Sequence, residues 1–306
     1  MTALPVGYIS FVVLATTLLV VFVLLLRTEN GGGHHNDIIL GVTEDKKRSF
    51  RTPMCSPEGC YEDSTKATPR TDHSVRSPGQ LLQWQRVQKG LVAEKEAWVA
   101  KNPKGFKLLM LGDSITEYLT GKSFGVEVAA KADIKAAFKA VFPDDVLPMG
   151  IAGDQTQHLL WRMGEDGGEL NGLLPEFVNV LIGTNNLGAG MSPEAAFEGV
   201  KEVVKEIKAS LPSSTIILEQ LFPRGDAGGD LQETVAQVNA LIREQWKGDK
   251  TLHLSHCGQI FVMEGSNNLD ERSWILNIDL MPDKLHPGAH GVKLWMECLE
   301  EMLNRR

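Results

Sequence analysis

From Leu81 onward, short apolar runs alternate with longer amphipathic segments. The runs are bounded by Gly, Pro or charged residues, a pattern typical of buried strands. The segments between them carry apolar residues at helical spacing and predict helices. The predicted strands are 107–111, 146–150, 177–182, 215–218 and 251–254. The predicted helices are 81–100, 126–142, 155–163, 192–211, 231–246 and 289–303.

This alternation of strands and helices predicts an α/β fold. The expected architecture is a three-layer α/β/α sandwich around a mainly parallel, five-stranded sheet of the flavodoxin-like kind. Pro143, Pro175 and Pro212 fall at boundaries between elements, where a missing N–H costs little. Ligands on such sheets bind at the carboxyl ends of the strands, so candidate chemistry belongs in the residues that follow them.

The amino-terminal part of the chain begins with an uncharged run. Leu4 to Leu26 is 23 residues long, enough for a helix to cross a hydrocarbon core of ~30 Å. A cleaved signal peptide fits less well, because no basic residue precedes the run and its apolar part is long. The sequence predicts a membrane anchor over 1–27 and a single-pass membrane protein. Arg27 favours a cytoplasmic domain only weakly, so a cytoplasmic face and the secretory pathway both stay open.

Residues 28–80 are rich in Gly, Ser, Thr, Pro and charge, which predicts a flexible stalk. The folded domain is then expected over 81–306. Cys55 and Cys60 lie close together in the stalk. A disulfide and two free thiols are both compatible with the sequence, and a disulfide would require an oxidising compartment.

Composition and charge exclude several function classes. The net charge is −8 and is spread along the chain, which argues against a nucleic-acid partner. Four cysteines are too few for a disulfide-built fold in a chain of 306 residues. His34 and His35 lie in a Gly-rich stretch, and His253 and His256 have no suitable ligands nearby, so we predict no metal site. The sequence leaves the oligomeric state open.

Four short motifs fall beside predicted strands or a predicted helix. They are Gly112–Thr116 after the first strand, Gly150–Thr156 after the second, Gly183–Asn186 after the third, and Asp283–Pro287 before the last helix. Each has a structural reading, since a serine before a helix is usually a cap and a glycine permits a tight turn. All four nevertheless fall at the end of a predicted strand or in the loop before a predicted helix. We therefore interpret them together as one site.

Together the motifs supply the groups that acyl transfer needs. A serine hydroxyl requires a nearby base, and histidine is suited because its pKa lies near neutrality, so we predict Ser114 as nucleophile and His286 as base. Asp283, three residues earlier, is predicted to orient the ring of His286. The predicted oxyanion donors are the backbone N–H groups of Ser114 and Gly153 and the side-chain amide of Asn185.

Other residues fit these roles less well. Asp113 is expected to order the turn rather than act as the base. His256 has no aspartate three residues before it, and His290 is predicted to lie inside the last helix. We therefore prefer His286 over both histidines.

The order Ser114, Gly153, Asn185, His286 resembles that of the SGNH or GDSL-like hydrolases, whose named residues are Ser, Gly, Asn and His. The resemblance covers roughly 81–306. Three segments are similar to the catalytic subunits of platelet-activating-factor acetylhydrolase type I: Gly150–Arg162, Leu181–Asn186 and Leu221–Gly225. Two departures are Ile115 in place of the Leu of the best-known motif, and Asn186 where many members carry Asp.

The resemblance implies a three-layer α/β/α fold, no cofactor, and a serine esterase that works through an acyl-serine. It suggests a short-chain acyl ester of a lipid or carbohydrate as substrate, with acetyl as the favoured acyl group. Two alternatives stay open: an O-acyltransferase that uses the same Ser114, and a catalytically silent, membrane-anchored binding domain. The N-terminal run and stalk are foreign to the cytosolic subunits, so their substrate and partners are not carried over.

Overall fold

The apolar runs form a five-stranded parallel sheet in the computed structural model, which describes residues 55–56, 59–60, 62–71, 78–225, 230–263 and 274–304. The strands are β1 Phe106–Gly112, β2 Val146–Gly150, β3 Pro175–Leu181, β4 Thr215–Glu219 and β5 Leu252–Ser255. Their order across the sheet is β2-β1-β3-β4-β5. Residues 108–111 of β1 are fully buried, as expected for a central strand that is covered on both faces.

Helices cover both faces of this sheet. They are α1 Pro78–Lys101, α2 Ser114–Glu117, α3 Ala132–Val141, α4 Thr156–Met163, α5 Thr184–Gly188, α6 Pro193–Ser210, α7 Asp230–Gln245 and α8 Ala289–Asn304; 3₁₀ turns span Tyr118–Thr120, Ala129–Lys131 and Cys257–Phe261. Helix α3 packs with α8, whereas α4 and α7 pack with α6. The crossover from β1 to β2 runs in the opposite direction to the later crossovers, which connect β2 to β3, β3 to β4 and β4 to β5. Because such crossovers are right-handed, helices on oppositely directed crossovers lie on opposite faces. Helices α3 and α8 therefore form one outer layer, and α4, α6 and α7 form the other. The predicted α/β fold class is confirmed.

The carboxyl ends of the three central strands lie level with one another. Gly112, the last residue of β1, pairs with Gly150 at the end of β2 and with Leu181 at the end of β3. The segments that leave these strands therefore start side by side. This register brings three of the four sequence motifs to one edge of the sheet.

The predicted helix over 126–142 is wrong at its start. Helix α3 begins at Ala132, and Val126–Glu127 instead pairs antiparallel with Lys122–Ser123. The two residues between these strands, Phe124 and Gly125, have φ of 51° and 77°. A tight hairpin needs such positive φ values. Its second strand holds Val126 and Glu127 in extended conformation, so the helix cannot begin there.

The predicted single-pass membrane localisation is contradicted. Within the ranges that the structure describes, no helix is long and apolar enough to span a bilayer. The run that motivated the prediction, within 1–27, lies outside the described residues.

Residues 62–71 fall within the predicted stalk, and the structure places them against the folded domain. Ser64 Oγ donates to Ala195 O at 2.6 Å, and its carbonyl accepts from Thr156 Oγ1 at 2.9 Å. Thr68 N donates to Gln157 O at 3.1 Å. For these residues the prediction of a flexible stalk is corrected. Elsewhere in 28–80 it stays a prediction, as does the domain boundary at residue 81.

A disulfide joins Cys257 to Cys298 of α8. This bond ties the 3₁₀ turn after β5 to the last helix, and no sequence pattern indicated this pairing. Cys55 and Cys60 lie directly opposite each other in a two-residue antiparallel ladder, Cys55–Ser56 with Gly59–Cys60. Their side chains lie outside the described part of the chain, so their pairing stays a prediction.

Candidate active site

The turn after β1 presents Ser114 at the carboxyl edge of the sheet. Ser114 is the first residue of α2, and its neighbour Asp113 caps the helix by accepting from Ile115 N at 3.0 Å. Gly112 before it must lack a side chain, because a Cβ there would lie 2.6 Å from the Leu181 carbonyl oxygen. As the first residue of the helix, Ser114 has no intrahelical acceptor for its own N–H.

Ser114, His286 and Asp283 form a continuous hydrogen-bonded chain. Ser114 Oγ lies 2.9 Å from His286 Nε2, and His286 Nδ1 lies 2.7 Å from Asp283 Oδ2. Asp283 Oδ1 also accepts from the backbone N–H of His286 at 2.7 Å and of Leu285 at 3.0 Å. An ionised Asp283 can only accept, so the ring proton lies on Nδ1 and Nε2 is left to accept from the serine hydroxyl.

The surroundings of His286 favour its neutral form. Burial lowers the pKa of His286 below its ordinary value of 6.5, and the hydrogen bond and charge of Asp283 oppose this only in part. Burial also acts to raise the pKa of Asp283, but hydrogen bonds from His286 outweigh it and hold that pKa below its ordinary value. A neutral imidazole beside an ionised carboxylate is the arrangement that general-base catalysis requires.

An aromatic ring and a lysine pack behind the imidazole. The Tyr118 ring centroid lies 4.6 Å from that of His286, and Lys131 Nζ lies 3.8 Å from the centroid of Tyr118. Tyr118 limits the rotation of the imidazole, while the charge of Lys131 disfavours its protonation.

The turn after β2 carries Gly153 with a free backbone donor. Gly153 has a φ of +78°, a conformation that glycine adopts without strain. In the described part of the chain, neither its N–H nor that of Ser114 has a hydrogen-bond acceptor. Ala152 N donates to Glu117 Oε2 at 2.8 Å. Because Glu117 belongs to α2, this bond ties the glycine turn to the serine turn.

The side-chain amide of Asn185 lies at the same edge, in α5. Its Nδ2 donates to Asp113 Oδ2 at 3.1 Å and to Asp154 O at 2.9 Å, so both amide hydrogens have acceptors. Asn185 would have to release one of them in order to bind an oxyanion. The backbone donors of Ser114 and Gly153 need no such exchange.

Asp113 orders this arrangement and does not contact the Ser114 hydroxyl. It is fully buried, and burial raises its pKa to about 7, opposed mainly by the hydrogen bond from Ile115 N. Its two oxygens accept from Ile115 and Asn185. This agrees with the predicted role in ordering the turn.

Ser114, Gly153, Asn185 and His286 line one open cleft of about 770 Å³. His256 and His290 do not line it: His256 Nδ1 lies 2.7 Å from Gln220 Nε2, and His290 is exposed in α8. Asp283 is not among the residues that line the cleft, and it contacts His286 through the hydrogen bond to Nδ1.

Four residues at the site were not predicted from the sequence. Glu117 and Tyr118 lie three and four residues after Ser114, and that spacing on a helix was a usable signal. Arg70 and Arg224 also line the cleft. Arg224 Nη1 donates to Thr184 O at 2.6 Å, just before Asn185. Arg224 lies in the segment Leu221–Gly225 that resembles the family, but nothing in that segment indicated this contact.

Residues 110–294, more than half of the chain, match the GDSL-like Lipase/Acylhydrolase family. The chain belongs to this family. The family description names hydrolysis of acyl esters as its class of chemistry. The matched residues contain the nucleophile turn, the glycine turn, Asn185 and the Asp283–His286 pair, whereas Arg70 lies outside them.

Two human proteins are similar to this chain over part of its length. The platelet-activating factor acetylhydrolase IB subunit alpha1 of Homo sapiens is 36% identical over 120 residues, which are 39% of this chain and 50% of that protein. The human subunit alpha2 is 36% identical over 101 residues, covering 33% and 42%. The chain thus spans about half the length of the curated relatives it matches.

A solved structure shares the fold. The GDSL-like lipase of Bacteroides thetaiotaomicron superposes with a TM-score of 0.54 at 19% identity, covering 71% of this chain and 97% of that one. At this identity the likeness concerns the fold alone. The predicted family resemblance and the predicted fold are both confirmed.

Proposed function

We propose that this protein is a serine esterase that hydrolyses acyl esters through an acyl-serine. The observation that carries the proposal is the chain from Ser114 Oγ through His286 to Asp283, with contacts of 2.9 and 2.7 Å, at the edge of a cleft. Ser114 and Gly153 line the same cleft, and their backbone N–H groups have no acceptor among the described residues. A nucleophile, an oriented base and oxyanion donors are the set that acyl transfer requires.

The chemical steps follow from these positions. Ser114 Oγ forms a bond to the ester carbonyl carbon while its proton passes to His286 Nε2. The carbonyl oxygen gains the negative charge and accepts from the N–H groups of Ser114 and Gly153. The carbon–oxygen bond to the alcohol then breaks, and His286 returns its proton to the departing oxygen. Water, deprotonated by His286, then bonds to the acyl carbon. The bond to Ser114 Oγ breaks, His286 returns the proton to that oxygen, and the carboxylic acid leaves.

We further propose that the acyl group is short, with acetyl as the favoured case. Half of the described residues that line the cleft are polar or charged, among them Arg70, Gln155 and Arg224, and its larger apolar side chains are Tyr118, Phe124 and Leu285. Such walls offer little surface to a long alkyl chain. The acetylhydrolase names of the two human relatives point the same way.

Covalent labelling tests the nucleophile directly. The full-length protein is treated with a fluorophosphonate probe, which loses fluoride as it bonds to an activated serine oxygen, and is digested for mass spectrometry. We expect the label on Ser114 and none on Ser210, an exposed serine of α6 whose hydroxyl donates to Glu206 Oε1 and has no neighbouring histidine to activate it among the described contacts. Failure to label Ser114 in folded protein would favour a catalytically silent binding domain.

A chain-length series tests the acyl preference. We expect kcat/KM for 4-nitrophenyl acetate to exceed that for the octanoate by about tenfold or more, because a polar cleft gains nothing from added methylenes. An apolar acyl pocket would instead gain ~0.8 kcal/mol for each buried methylene and reverse the order. Initial rates of nitrophenol release, corrected with the Ser114→Ala variant, measure the ratio. A rise in kcat/KM with chain length would contradict the preference.

A further inference from the structure

We propose that Arg70 is a positioning residue for the oxyanion donor of Gly153. The inference rests on the proposed function and adds a group from outside the family-matched residues 110–294. Arg70 is buried, with 9% of its surface exposed, and lines the cleft beside Ser114.

Arg70 hydrogen-bonds to the glycine turn on both sides of Gly153. Its Nη2 donates to Ala152 O at 2.5 Å, and its Nε donates to Asp154 Oδ1 at 3.0 Å. The guanidinium also lies against Gly153 itself, because a Cβ added there would come within 3.0 Å of Arg70 Nη2. A single planar group thus bonds to the residues on either side of Gly153 and lies close to Gly153 itself.

The contact with Ala152 O determines where the N–H of Gly153 points. These two groups belong to one planar trans peptide unit, so the carbonyl and the N–H point in opposite directions. Holding the carbonyl toward Arg70 therefore directs the N–H of Gly153 away from it. The same bond polarises the peptide and makes its N–H a stronger donor. No acceptor for this N–H occurs among the residues that the structure describes.

Residues 62–71 hold Arg70 in place. Ser64 bonds to Ala195 and Thr156, Thr68 bonds to Gln157, and Gln157 Nε2 donates to Glu62 Oε2 at 2.8 Å. These bonds fix the segment along α4, the helix that the glycine turn enters. Arg70 therefore arrives at the turn from an anchored segment.

A simpler role for Arg70 would be to neutralise the buried carboxylate of Asp154. That carboxylate also accepts from Trp84 Nε1 at 2.8 Å and from Arg162 Nη1 at 2.9 Å. Trp84 and Arg70 thus donate to the same oxygen, Asp154 Oδ1, but only Arg70 reaches Ala152 O. Trp84→Phe is therefore the control for loss of a donor to Asp154, since it leaves the peptide contact and the charge of Arg70 intact. Arg70→Lys, which keeps a positive charge beside Asp154, is the control for neutralisation.

The experiment compares Arg70→Met with Trp84→Phe in the full-length chain. For 4-nitrophenyl acetate we expect Arg70→Met to lower kcat by about 10- to 100-fold with KM changed less than about threefold, because a misdirected donor costs less than a deleted one. Affinity for a trifluoromethyl ketone, which forms a tetrahedral adduct, should fall by the same factor as kcat/KM. Trp84→Phe should keep kcat within about threefold of the parent.

The outcomes separate this inference from the proposed function. If Ser114→Ala is inactive but Arg70→Met loses no more kcat than Trp84→Phe, the positioning role is wrong and the esterase proposal stands. A rise in KM at constant kcat would assign Arg70 to substrate binding and also overturn it. If Ser114→Ala is active, the proposed function itself fails. Should Arg70→Met not fold, Arg70→Lys decides: it keeps the charge beside Asp154 but not the hydrogen bonds on both sides of Gly153, so an unchanged kcat overturns the inference.

Discussion

Replacing Ser114 by alanine is expected to lower kcat for 4-nitrophenyl acetate by about 10⁴-fold or more, because the atom that forms the acyl bond is lost. Within the ranges that the structure describes, Ser114 Oγ hydrogen-bonds to His286 Nε2 and to no other group. The melting temperature should therefore change little, since a hydrogen bond of this kind contributes only ~1 kcal/mol. Stopped assays at saturating substrate and thermal unfolding of the same samples measure both quantities.

Ser210→Ala provides the matched control for this prediction. Ser210 is exposed near the end of α6, and its hydroxyl donates to Glu206 Oε1 at 2.7 Å. Ser210→Ala also removes a hydroxyl oxygen, but Ser210 does not line the cleft. This variant should therefore keep the parental kcat. Equal rates for the two variants would contradict Ser114 as the nucleophile.

The core of the fold was predictable because its signals are local. Residues 108–111 form an uninterrupted apolar run, and the structure buries all four at the centre of the sheet. The helix predicted over 126–142 begins too early because Val126 and Glu127 belong to a hairpin, and the hydropathy pattern does not indicate the turn of that hairpin. Phe124 has a φ of 51°, yet a phenylalanine carries no sequence signal for a positive φ. The hairpin therefore became visible only with the backbone.

The candidate site was predictable to the extent that its residues sit beside strand ends. Ser114 and Gly153 follow β1 and β2 directly, so the parallel register alone brings them together. Arg70 had no such marker, since it bonds to a residue 82 positions away. Its segment is held by hydrogen bonds rather than by apolar burial, and hydropathy therefore made the segment look like a stalk. Long-range polar contacts of this kind are the part of the site that a single sequence hides.

Replacing Asp283 by asparagine is expected to lower kcat/KM by about 10³-fold, because it inverts the tautomer of His286. The new amide can keep accepting from the backbone N–H groups of Leu285 and His286 through its oxygen. Its NH₂ group then faces Nδ1, which must become the acceptor, and the ring proton moves to Nε2. In that form His286 cannot accept the proton of Ser114. We expect a smaller loss in kcat/KM than the ~10⁴-fold seen for a buried catalytic aspartate. The reason is that the Asp283 side chain is 53% exposed and water screens its charge.

The pH profile distinguishes this role from a general loss of structure. Only neutral His286 can act as a base, so parental kcat/KM should fall on acidification through an apparent pKa below 6.5, the direction in which burial shifts His286. Asp283 raises the pKa of His286, so the acid limb of Asp283→Asn should move to still lower pH. Asp279→Asn, a change at an exposed aspartate four residues earlier, should leave both the rate and the limb as in the parent. If Asp283→Asn behaves like Asp279→Asn, the orienting role of Asp283 is wrong, and His286 must be held by its other neighbours, chiefly Tyr118.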